Sequence, residues 1–431
     1  MEKWKVTTIT YNVNKQKASK KEIAEWLNGE EGLCSSDLAC IAMQEISHAE
    51  MLAAIPQCSS WTDHLSEWMV HHELVLVNKL YLASNLLLVY CTHRLLHMIY
   101  KVETRWSRNS FGGVAGYKGT ISVRVLFKDD LASITFITSH FFHAEKNFRK
   151  RIQQYHRSLV CTFEDDVHAA NTPRAIFWLG DLNSRVEGFT YSNEMIERLN
   201  SCTPDDLKGI VEGFDQLTKS RRAGEAFVEF EEPTITFKPT YRIKVGLGIY
   251  DDLRIPSWCD RVLYKTFSGL QLVPERYSSS HLITLSDHFP VSAVFQLTLP
   301  TDRQECKASP SASLQPMATK WSCHFEHIPT WAQHIPLVCR FSFRNNFWKL
   351  HGSYGDWLGV YPAGVGNVSN PIHWVYMMTT CYEESNQPNA KTVAEFPSLK
   401  PGYYRVGYFS VRKNCLHGMS EVFRVDEHLG C

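Results

Sequence analysis

The chain has 431 residues, in which 45 Lys and Arg balance 45 Asp and Glu, together with 13 Cys and 12 Trp. This length predicts two or three domains, or one large α/β domain with a small partner. A net charge of zero argues against a protein that binds nucleic acid, because the phosphate backbone normally selects a basic surface. An anionic substrate would therefore have to be met by a local cluster of positive charge.

No signal peptide or transmembrane helix is expected. The segment Met1–Val6 carries charged residues where a signal peptide has its apolar core. The most apolar stretch, Leu74–Tyr100, is interrupted by polar and charged residues, so buried strands explain it better than a spanning helix. Without a secretory signal, the odd number of scattered cysteines indicates reduced thiols in a cytoplasmic protein.

Residues 1–298 predict an α/β fold, because apolar, β-branched runs recur there with helix-like segments between several of them. The runs are apolar throughout rather than alternating, which indicates strands buried on both faces. The helix-like segments include Lys20–Leu27 and Glu145–Glu164. The predicted strands are Val6–Val13, Leu38–Met43, Leu74–Val77, Leu86–Val89, Thr120–Phe127, Ala132–Thr138, Ala175–Leu179, Arg261–Tyr264 and Val291–Leu299.

The composition changes after residue 298. Residues 299–320 are rich in Ser, Pro and Ala and show no periodicity, which is typical of a linker. Residues 321–427 contain five of the 12 tryptophans and short strand-like runs without helices between them, which favours a small all-β sandwich. These runs are His324–Phe325, Val338–Phe343, Trp357–Tyr361, His373–Met378, Tyr403–Phe409 and Val422–Val425.

Polar residues stand at the ends of the predicted strands of the first domain, where an open α/β sheet places its ligand site. A single polar residue at a strand end is usually only a cap. Six such positions in one domain are hard to explain in that way. They are Asn12, Glu45, His140, Asp181 with Asn183, Asp260, and Asp287 with His288.

Two of these positions favour a hard metal ion. Glu45 and Asn12 offer oxygen ligands, few enough for Mg²⁺ to keep several waters and a substrate phosphate. Zinc would need clustered His and Cys, and His140 with His143 lacks a partner motif.

The other positions favour hydrolysis of a phosphoester. Asp181 can accept a proton from an attacking water, and Asp260 or Asp287 can hold the imidazole of His288 in one tautomer. Together with the metal they predict in-line attack of water without a covalent intermediate. The motifs of cysteine-dependent, aspartyl-phosphate and P-loop enzymes are absent from the sequence. The groups suited to hydrogen-bond the phosphoryl oxygens are His140, Asn183 and His288.

Residues 1–298 resemble the Mg²⁺-dependent inositol polyphosphate 5-phosphatases of the endonuclease/exonuclease/phosphatase superfamily. Two segments carry most of the resemblance, Phe177–Arg185 (FWLGDLNSR) and Arg254–Leu263 (RIPSWCDRVL), which match the two signature motifs of that family. The resemblance implies a four-layer sandwich of two packed β-sheets flanked by helices. Shorter matches surround the signatures in the family's order, at Tyr11–Val13, Gln44–Glu45, Ser139–His140 and Ser286–His288.

The resemblance also implies residue roles and substrates. Phosphatidylinositol 4,5-bisphosphate and 3,4,5-trisphosphate are the implied substrates, and their 5-phosphate is the group removed. Asn12 and Glu45 would hold Mg²⁺, and Asp181 would orient or deprotonate water. The scissile phosphate would be bound by Asn183, His140 and His288, with Asp260 and Asp287 in support. The neighbouring 4-phosphate would be contacted by Lys118, Lys238, Tyr241 and Arg242, with further positive charge from Arg185, Arg254 and Arg261.

Three features depart from the family pattern. Ser184 replaces the usual aromatic residue of the first signature, and Tyr117 replaces the usual Asn before the lysine. The segment Tyr250–Arg254 is shortened and lacks the lysine that precedes the second signature in the family. One contact to the 4-phosphate is therefore expected to be missing.

Residues 321–427 resemble the SKICH domain that follows the catalytic domain in the skeletal muscle and kidney enriched inositol phosphatase subtype. The resemblance implies an Ig-like sandwich that binds protein partners and brings the enzyme to membranes, including the endoplasmic reticulum and the plasma membrane. A peripheral membrane protein that binds phosphoinositide head groups is therefore expected. The matching segments are Gly355–Tyr361, Trp374–Tyr376, Tyr403–Phe409 and Phe423–Val425.

Two alternatives remain at the level of sequence. A nuclease or sphingomyelinase on the same scaffold would share Glu45, Asp181 and His288, but would lack Lys118 and the Trp258–Arg261 segment. The other alternative is a catalytically weak scaffold that binds phosphoinositides and recruits partners through its SKICH-like domain.

Overall fold

The computed structural model describes residues 2–47, 61–108, 118–166, 172–267, 269–300, 321–382 and 392–427. The expected linker, apart from residues 299 and 300, and the departure at Tyr117 lie outside these ranges. Among the described residues, no helix is both long enough and apolar enough to cross a bilayer.

The first domain is built from strands and helices that alternate along the chain. Its helices are α1 (Lys20–Asn28), α2 (Trp61–His71), α3 (His93–Leu96), α4 (Phe148–Ser158), α5 (Ser192–Ser201), α6 (Pro204–Phe214) and α7 (Gln216–Arg222). Its strands are β1 (Lys3–Asn12), β2 (Leu38–Gln44), β3 (Leu74–Leu82), β4 (Asn85–Thr92), β5 (Ile99–Arg108), β6 (Gly119–Phe127), β7 (Ser133–His140), β8 (Arg174–Asp181), β9 (Asp260–Phe267), β10 (Gln271–Ser279) and β11 (Val291–Thr298).

These strands form two sheets, with the orders β10-β11-β1-β2-β4-β3 and β5-β6-β7-β8-β9. β1 and β2 run parallel, as do β7 and β8, and the other neighbours run antiparallel. Each parallel pair lies inside its sheet and ends at the same edge. The polar residues that follow the pair are therefore brought together there.

The sheets pack face to face around one apolar core. Phe177 of β8 and Phe295 of β11 meet across it, with ring centroids 5.1 Å apart. α1 and α2 cover the outer face of the first sheet, where Trp26 packs on Tyr11. α4 covers the outer face of the second sheet and packs on Trp178. The expected four-layer α/β sandwich is confirmed.

Side-chain caps explain where three of the helices begin. Ser19 and Glu22 form a capping box at the start of α1, and Thr203 and Asp206 form one at α6. Asp215 caps α7 by accepting a hydrogen bond from the backbone N–H of Thr218 at 2.9 Å. Asp215 is fully buried and also contacts Ser184 and Arg261 of the two signature segments.

The second domain is a small β-sandwich, as expected, with one short helix, α8 (Phe347–His351). Its sheets have the orders β12-β14-β18-β17 and β13-β21-β19-β15-β16, and β20 pairs with β19. Residues such as Phe341, Leu358 and Tyr408 fill the core between the sheets. The strands are β12 (Cys323–Phe325), β13 (Trp331–Ala332), β14 (Leu337–Phe343), β15 (Trp357–Pro362), β16 (His373–Tyr376), β17 (Cys381–Tyr382), β18 (Thr392–Phe396), β19 (Gly402–Ser410), β20 (Cys415–Met419) and β21 (Phe423–Asp426).

The second domain packs on two edge strands of the first. Each of these strands has a bulge, between Leu76 and Asn78 in β3 and between Ile99 and Lys101 in β5. The N–H of Leu76 donates to the carbonyl of Gly366 at 2.9 Å, and the N–H of Val102 donates to the carbonyl of Lys413 at 2.8 Å. β3 and β5 are edge strands of their sheets, and the second domain satisfies these outward-facing backbone groups.

Apolar side chains join the two domains into one core. Phe409 is buried and stacks on Trp357, with ring centroids 4.6 Å apart. The second-domain residues that join the core cluster of the first domain are Tyr361, Val365, Val368, Phe409, Cys415 and Leu416. This contact lies toward the ends of β3 and β5 that are opposite the ends of β1 and β7 carrying the predicted site residues.

His417 is a buried titratable group at this contact. Its Nε2 lies 3.1 Å from the carbonyl oxygen of Tyr100, and its Nδ1 lies 3.3 Å from the hydroxyl of Ser322. Burial, together with the positive charges of Lys128 and Lys413, lowers the pKa of His417 to about 3. In the unfolded chain the pKa returns to about 6.5. Below that pH the unfolded chain binds a proton that the folded protein excludes, so stability falls as the pH drops toward 3.

We expect protonation of His417 in the unfolded chain to lower the free energy of unfolding by about 2 kcal/mol between about pH 7.5 and about pH 5, and His417→Gln to remove this part of the pH dependence. Urea unfolding curves at the two pH values measure both quantities. His324→Gln is the matched control, because His324 is an exposed histidine of the same domain, and it should keep the wild-type dependence. Equal losses in all three proteins would contradict the role of His417.

Candidate active site

The strand ends of the two sheets meet at a cleft of about 520 Å³. Asn12 pairs with Gln44 at the end of β1 and β2, and Asp181 pairs with both His140 and Asp260 at the end of the second sheet. The predicted residues that line the cleft are Asn12, Glu45, Lys118, His140, Asp181, Asn183, Arg185, Tyr241, Asp287 and His288.

The backbone that presents these side chains is unusual. Glu45 and Asn183 have φ values of 59° and 53°, in the left-handed region that most residues avoid. Gly180 has φ 140°, and a Cβ at this position would lie 2.1 Å from the carbonyl oxygen of Ser139. Only glycine therefore lets β8 approach β7 closely enough to place Asp181 beside His140.

Asp181 lies at the centre of the cleft and is buried. Its Oδ2 accepts a hydrogen bond from Asn12 Nδ2 at 3.0 Å, and its Oδ1 accepts one from the N–H of Asn183 at 3.0 Å. Burial alone would raise the pKa of Asp181, but nearby positive charge, with His288 and Lys118 among its sources, brings it down to about 2. Asp181 is therefore an ionised carboxylate that can accept hydrogen bonds from a water molecule.

His288 and Asp260 form a buried pair behind Asp181. His288 Nδ1 lies 2.8 Å from Asp260 Oδ2, which also accepts a hydrogen bond from the hydroxyl of Thr240 at 2.6 Å. Burial would lower the pKa of His288, but Asp260 and Asp181 outweigh it and raise the pKa to about 9. The imidazole is therefore protonated near neutral pH and can donate to a phosphoryl oxygen.

Lys118 lies deeper in the site than expected for a residue that contacts only a neighbouring phosphate. Its Nζ donates to His140 Nε2 at 2.7 Å and to the carbonyl of Phe141 at 2.8 Å. Burial lowers the pKa of Lys118, and burial together with the Lys118 charge lowers the pKa of His140 to about 3. His140 is therefore neutral. The expected contact between Lys118 and a 4-phosphate stays a prediction.

Arg185 and Tyr241 separate the cleft from a second pocket of about 380 Å³ that contains Arg254. The Arg185 guanidinium lies 4.3 Å from the centre of the Tyr241 ring and donates to Asn183 Oδ1 at 2.5 Å. The Tyr241 ring in turn lies 4.6 Å from that of His288. Arg185 and Tyr241 thus hold two of the predicted phosphate ligands in position.

Two further predicted substrate residues do not line the cleft. Arg242 is turned toward acidic residues, with its Nε 3.3 Å from Asp251 and 3.6 Å from Asp287. Lys238 is half-buried outside the residues that line either pocket. Their contacts with a substrate phosphate stay predictions.

The structure contradicts the prediction that Arg261 adds positive charge to the substrate site. It is fully buried, and its guanidinium forms ion pairs with Asp215 at 2.9 Å and with Glu232 at 2.6 Å. A side chain held in this way cannot reach a substrate in the cleft. Arg261 instead connects β9 to Asp215, the residue that caps the start of α7.

Ser184, the departure in the first signature, takes part in the same network. Its hydroxyl donates to Asp215 Oδ1 at 3.1 Å and accepts from the N–H of Leu217 at 2.8 Å. Ser184 is therefore a second cap of α7. Ser184 is buried, and its hydroxyl both donates and accepts a hydrogen bond. The smaller side chain therefore does not leave an unsatisfied polar group in place of the usual aromatic residue.

The cleft fits a divalent cation. Glu45 presents a part-exposed carboxylate near Asn12 and His140, and the ionised carboxylate of Asp181 lies in the same cleft. Asp260 Oδ1 is buried and has no hydrogen-bond partner among the described residues. Carboxylate and amide oxygens suit a hard ion. Asn12 now directs its amide nitrogen toward both Asp181 and Glu45, so ligation through its oxygen requires the amide to turn over.

Sequence reasoning missed several residues of the site. Thr240 holds Asp260 by a hydrogen bond and lies between the predicted substrate residues Lys238 and Tyr241, but it is not itself predicted as a site residue. Lys15 and Ser47 line the cleft but lie in turns just after strands, where polar residues are common and carry no distinctive signal.

Comparisons with known proteins agree with this geometry. Residues 9–294 match the endonuclease/exonuclease/phosphatase family 2, and residues 323–425 match the SKICH domain. A polyphosphatidylinositol phosphatase of Saccharomyces cerevisiae is 30% identical in an alignment 300 residues long that covers 67% of this chain and 26% of that protein. The human phosphatidylinositol 4,5-bisphosphate 5-phosphatase A is 25% identical in an alignment 448 residues long, gaps included, that covers 98% of this chain and 42% of that protein. The chain thus spans less than half the length of these relatives.

Among solved structures, the inositol polyphosphate 5-phosphatase domain of SPsynaptojanin, in complex with inositol (1,4)-bisphosphate and a calcium ion, is 25% identical. It superposes with a TM-score of 0.55 and covers 69% of this chain and 86% of that one. A Cimex nitrophorin shares the fold, at 24% identity and a TM-score of 0.56, over 69% of this chain and 99% of that one. The chain belongs to the endonuclease/exonuclease/phosphatase family, with inositol polyphosphate 5-phosphatases among its relatives and a SKICH domain after the family domain.

Proposed function

We propose that the chain hydrolyses the 5-phosphate of phosphoinositides, such as phosphatidylinositol 4,5-bisphosphate and 3,4,5-trisphosphate, with the help of Mg²⁺. The observation that carries the proposal is the arrangement of ionised Asp181 beside protonated His288, with Asn183 and Glu45 in the same cleft. An acceptor for water next to a charged donor for a phosphoryl oxygen is what in-line hydrolysis requires.

Each residue has a defined part in this proposal. Asp181 orients the attacking water and accepts its hydrogen bond. His288, kept protonated by Asp260, and the amide of Asn183 bind the phosphoryl oxygens. Glu45 and Asn12 would hold Mg²⁺, which when bound would supply positive charge beside the phosphate.

The second domain is proposed to place the enzyme at membranes and to bind protein partners. The SKICH match supports this role, and the endoplasmic reticulum and the plasma membrane are the proposed destinations. Among the described residues, none that lines the cleft comes from the second domain. Recruitment and catalysis would therefore use separate surfaces.

Phosphate release by the purified full chain tests the proposal. Vesicles containing phosphatidylinositol 4,5-bisphosphate or 3,4,5-trisphosphate are incubated with Mg²⁺, with and without excess chelator. We expect Mg²⁺-dependent release from both lipids. Binding to the vesicles without release, while a known 5-phosphatase is active in parallel, would instead support a catalytically weak scaffold.

A further inference from the structure

We propose that Lys15 binds a second phosphate monoester of the substrate, other than the one that is cleaved. This inference rests on the proposed function and adds a specificity-determining residue to it. Lys15 follows the end of β1 and lines the cleft together with Glu45 and Ser47. Its side chain is exposed, so its ammonium group is open to a ligand that enters the cleft.

The backbone of Lys15 is held firmly in place. Its N–H donates to the carbonyl of Glu45 at 2.8 Å, and the N–H of Gln16 donates to the carbonyl of Val13 at 2.8 Å. Lys15 is thereby fixed to the same turn that positions Glu45. The point from which the Lys15 side chain extends is therefore fixed relative to Glu45.

The backbone conformation of Lys15 is one that glycine would adopt with less strain. Asn14 and Lys15 have φ values of 45° and 60°, both in the left-handed region. Asparagine tolerates this region, but lysine pays about 1 kcal/mol that glycine would avoid. Lysine at such a position points to a use for its side chain.

The other cations near the cleft already have protein partners. Lys118 donates to His140 and Phe141, and Arg185 donates to Asn183. Arg242 lies 3.3 Å from Asp251. Within the described part of the chain, the ammonium group of Lys15 makes no hydrogen bond or ion pair with a protein group.

A polyphosphorylated ring brings more negative charge than the reacting centre can neutralise. Each phosphate monoester carries about −1.5 to −2 at neutral pH. Among the charged groups that line the cleft, His288, Lys118 and Arg185 are matched in number by Asp181, Glu45 and Asp287, and the charge of a divalent cation would be offset by that of the scissile phosphate. A second phosphate therefore needs a further cation, and Lys15 supplies one on the side of the cleft that carries Glu45.

Steady-state kinetics of Lys15→Gln test the proposal. The substrates are phosphatidylinositol 5-phosphate and phosphatidylinositol 4,5-bisphosphate in neutral phosphatidylcholine vesicles, and soluble inositol 1,4,5-trisphosphate. We expect KM to rise about tenfold for the last two, as for loss of one charge-assisted hydrogen bond. The kcat should stay within about twofold, and KM for the 5-monophosphate should not change.

Two variants serve as controls. Lys17→Gln makes the same change of charge at an exposed lysine that does not line the cleft, and it should behave as the wild type. Lys15→Gly relieves the left-handed backbone, so it should be at least as stable as the wild type and still show the raised KM. A purely structural role of Lys15 would leave the KM of the glycine variant unchanged.

Other outcomes overturn the proposal. An equal rise in KM for the 5-monophosphate places Lys15 at the scissile group. A rise in KM confined to phosphatidylinositol 4,5-bisphosphate in vesicles, with none for soluble inositol 1,4,5-trisphosphate, places Lys15 at the membrane surface. If the wild type is active and Lys15→Gln matches it on every substrate, only the Lys15 assignment fails. If the wild type releases no phosphate at all, the proposed function fails first.

Discussion

Replacing Asp181 with asparagine is expected to lower the rate of phosphate release by about 10²–10³-fold, the usual cost of losing a catalytic acid–base group or a transition-state contact. The substitution keeps the shape of the side chain but removes its charge. Water then loses the acceptor that orients it, and His288 loses part of the negative charge that keeps it protonated. The measurement is kcat with phosphatidylinositol 4,5-bisphosphate and Mg²⁺.

The matched control for this prediction is Asp205→Asn, which makes the same change at an exposed position in the first turn of α6. It should retain wild-type turnover. Circular dichroism and the unfolding midpoint show whether Asp181→Asn keeps its fold. Activity of a folded Asp181→Asn protein within about tenfold of the wild type would contradict the role assigned to Asp181.

Replacing Phe409 with alanine is expected to lower the free energy of unfolding by about 3–5 kcal/mol, the usual cost of deleting a buried aromatic side chain. Phe409 is buried where the second domain joins the core of the first. Removing the ring leaves a cavity in the core cluster that the two domains share. Because the cavity belongs to both, we expect the first domain to become less stable together with the second.

Thermal unfolding followed both by tryptophan fluorescence and by residual phosphatase activity measures this coupling. Both signals should move to lower temperature in Phe409→Ala by the same amount. Tyr403→Ala is the control, because Tyr403 lies on the same strand and is exposed. If activity persists at temperatures where the second domain has unfolded, the domains are independent and the prediction is wrong.

The sequence predicts the interior strands of the first domain well but misses two of its four edge strands, β5 and β10. β1, β2, β7 and β8 were predicted from their apolar runs, which are buried on both faces. β5 and β10 were missed because most of their residues are exposed or half-buried and include charges, with Pro274 and Glu275 adjacent in β10. An edge strand is defined by its neighbour, which local composition does not reveal.

The same limit applies to the site. Residues at the ends of interior strands, such as Asp181 and His140, were placed correctly in one cleft because strand ends converge by geometry. Arg261 was misassigned because its partners, Asp215 and Glu232, lie 46 and 29 residues away in sequence. A buried ion pair and a phosphate ligand look alike in sequence, and only the fold shows which acids are near.

The docking of the second domain on β3 and β5 has a practical consequence for work with fragments. A strand edge with free N–H and C=O groups is a template for pairing with another molecule, and the contacts through Leu76 and Val102 block two such templates at once. A fragment that stops near residue 298 would expose both edges beside the apolar surface left by Phe409 and Leu416. Such a fragment is prone to self-association, and a loss of activity in it would report aggregation rather than a missing recruitment function.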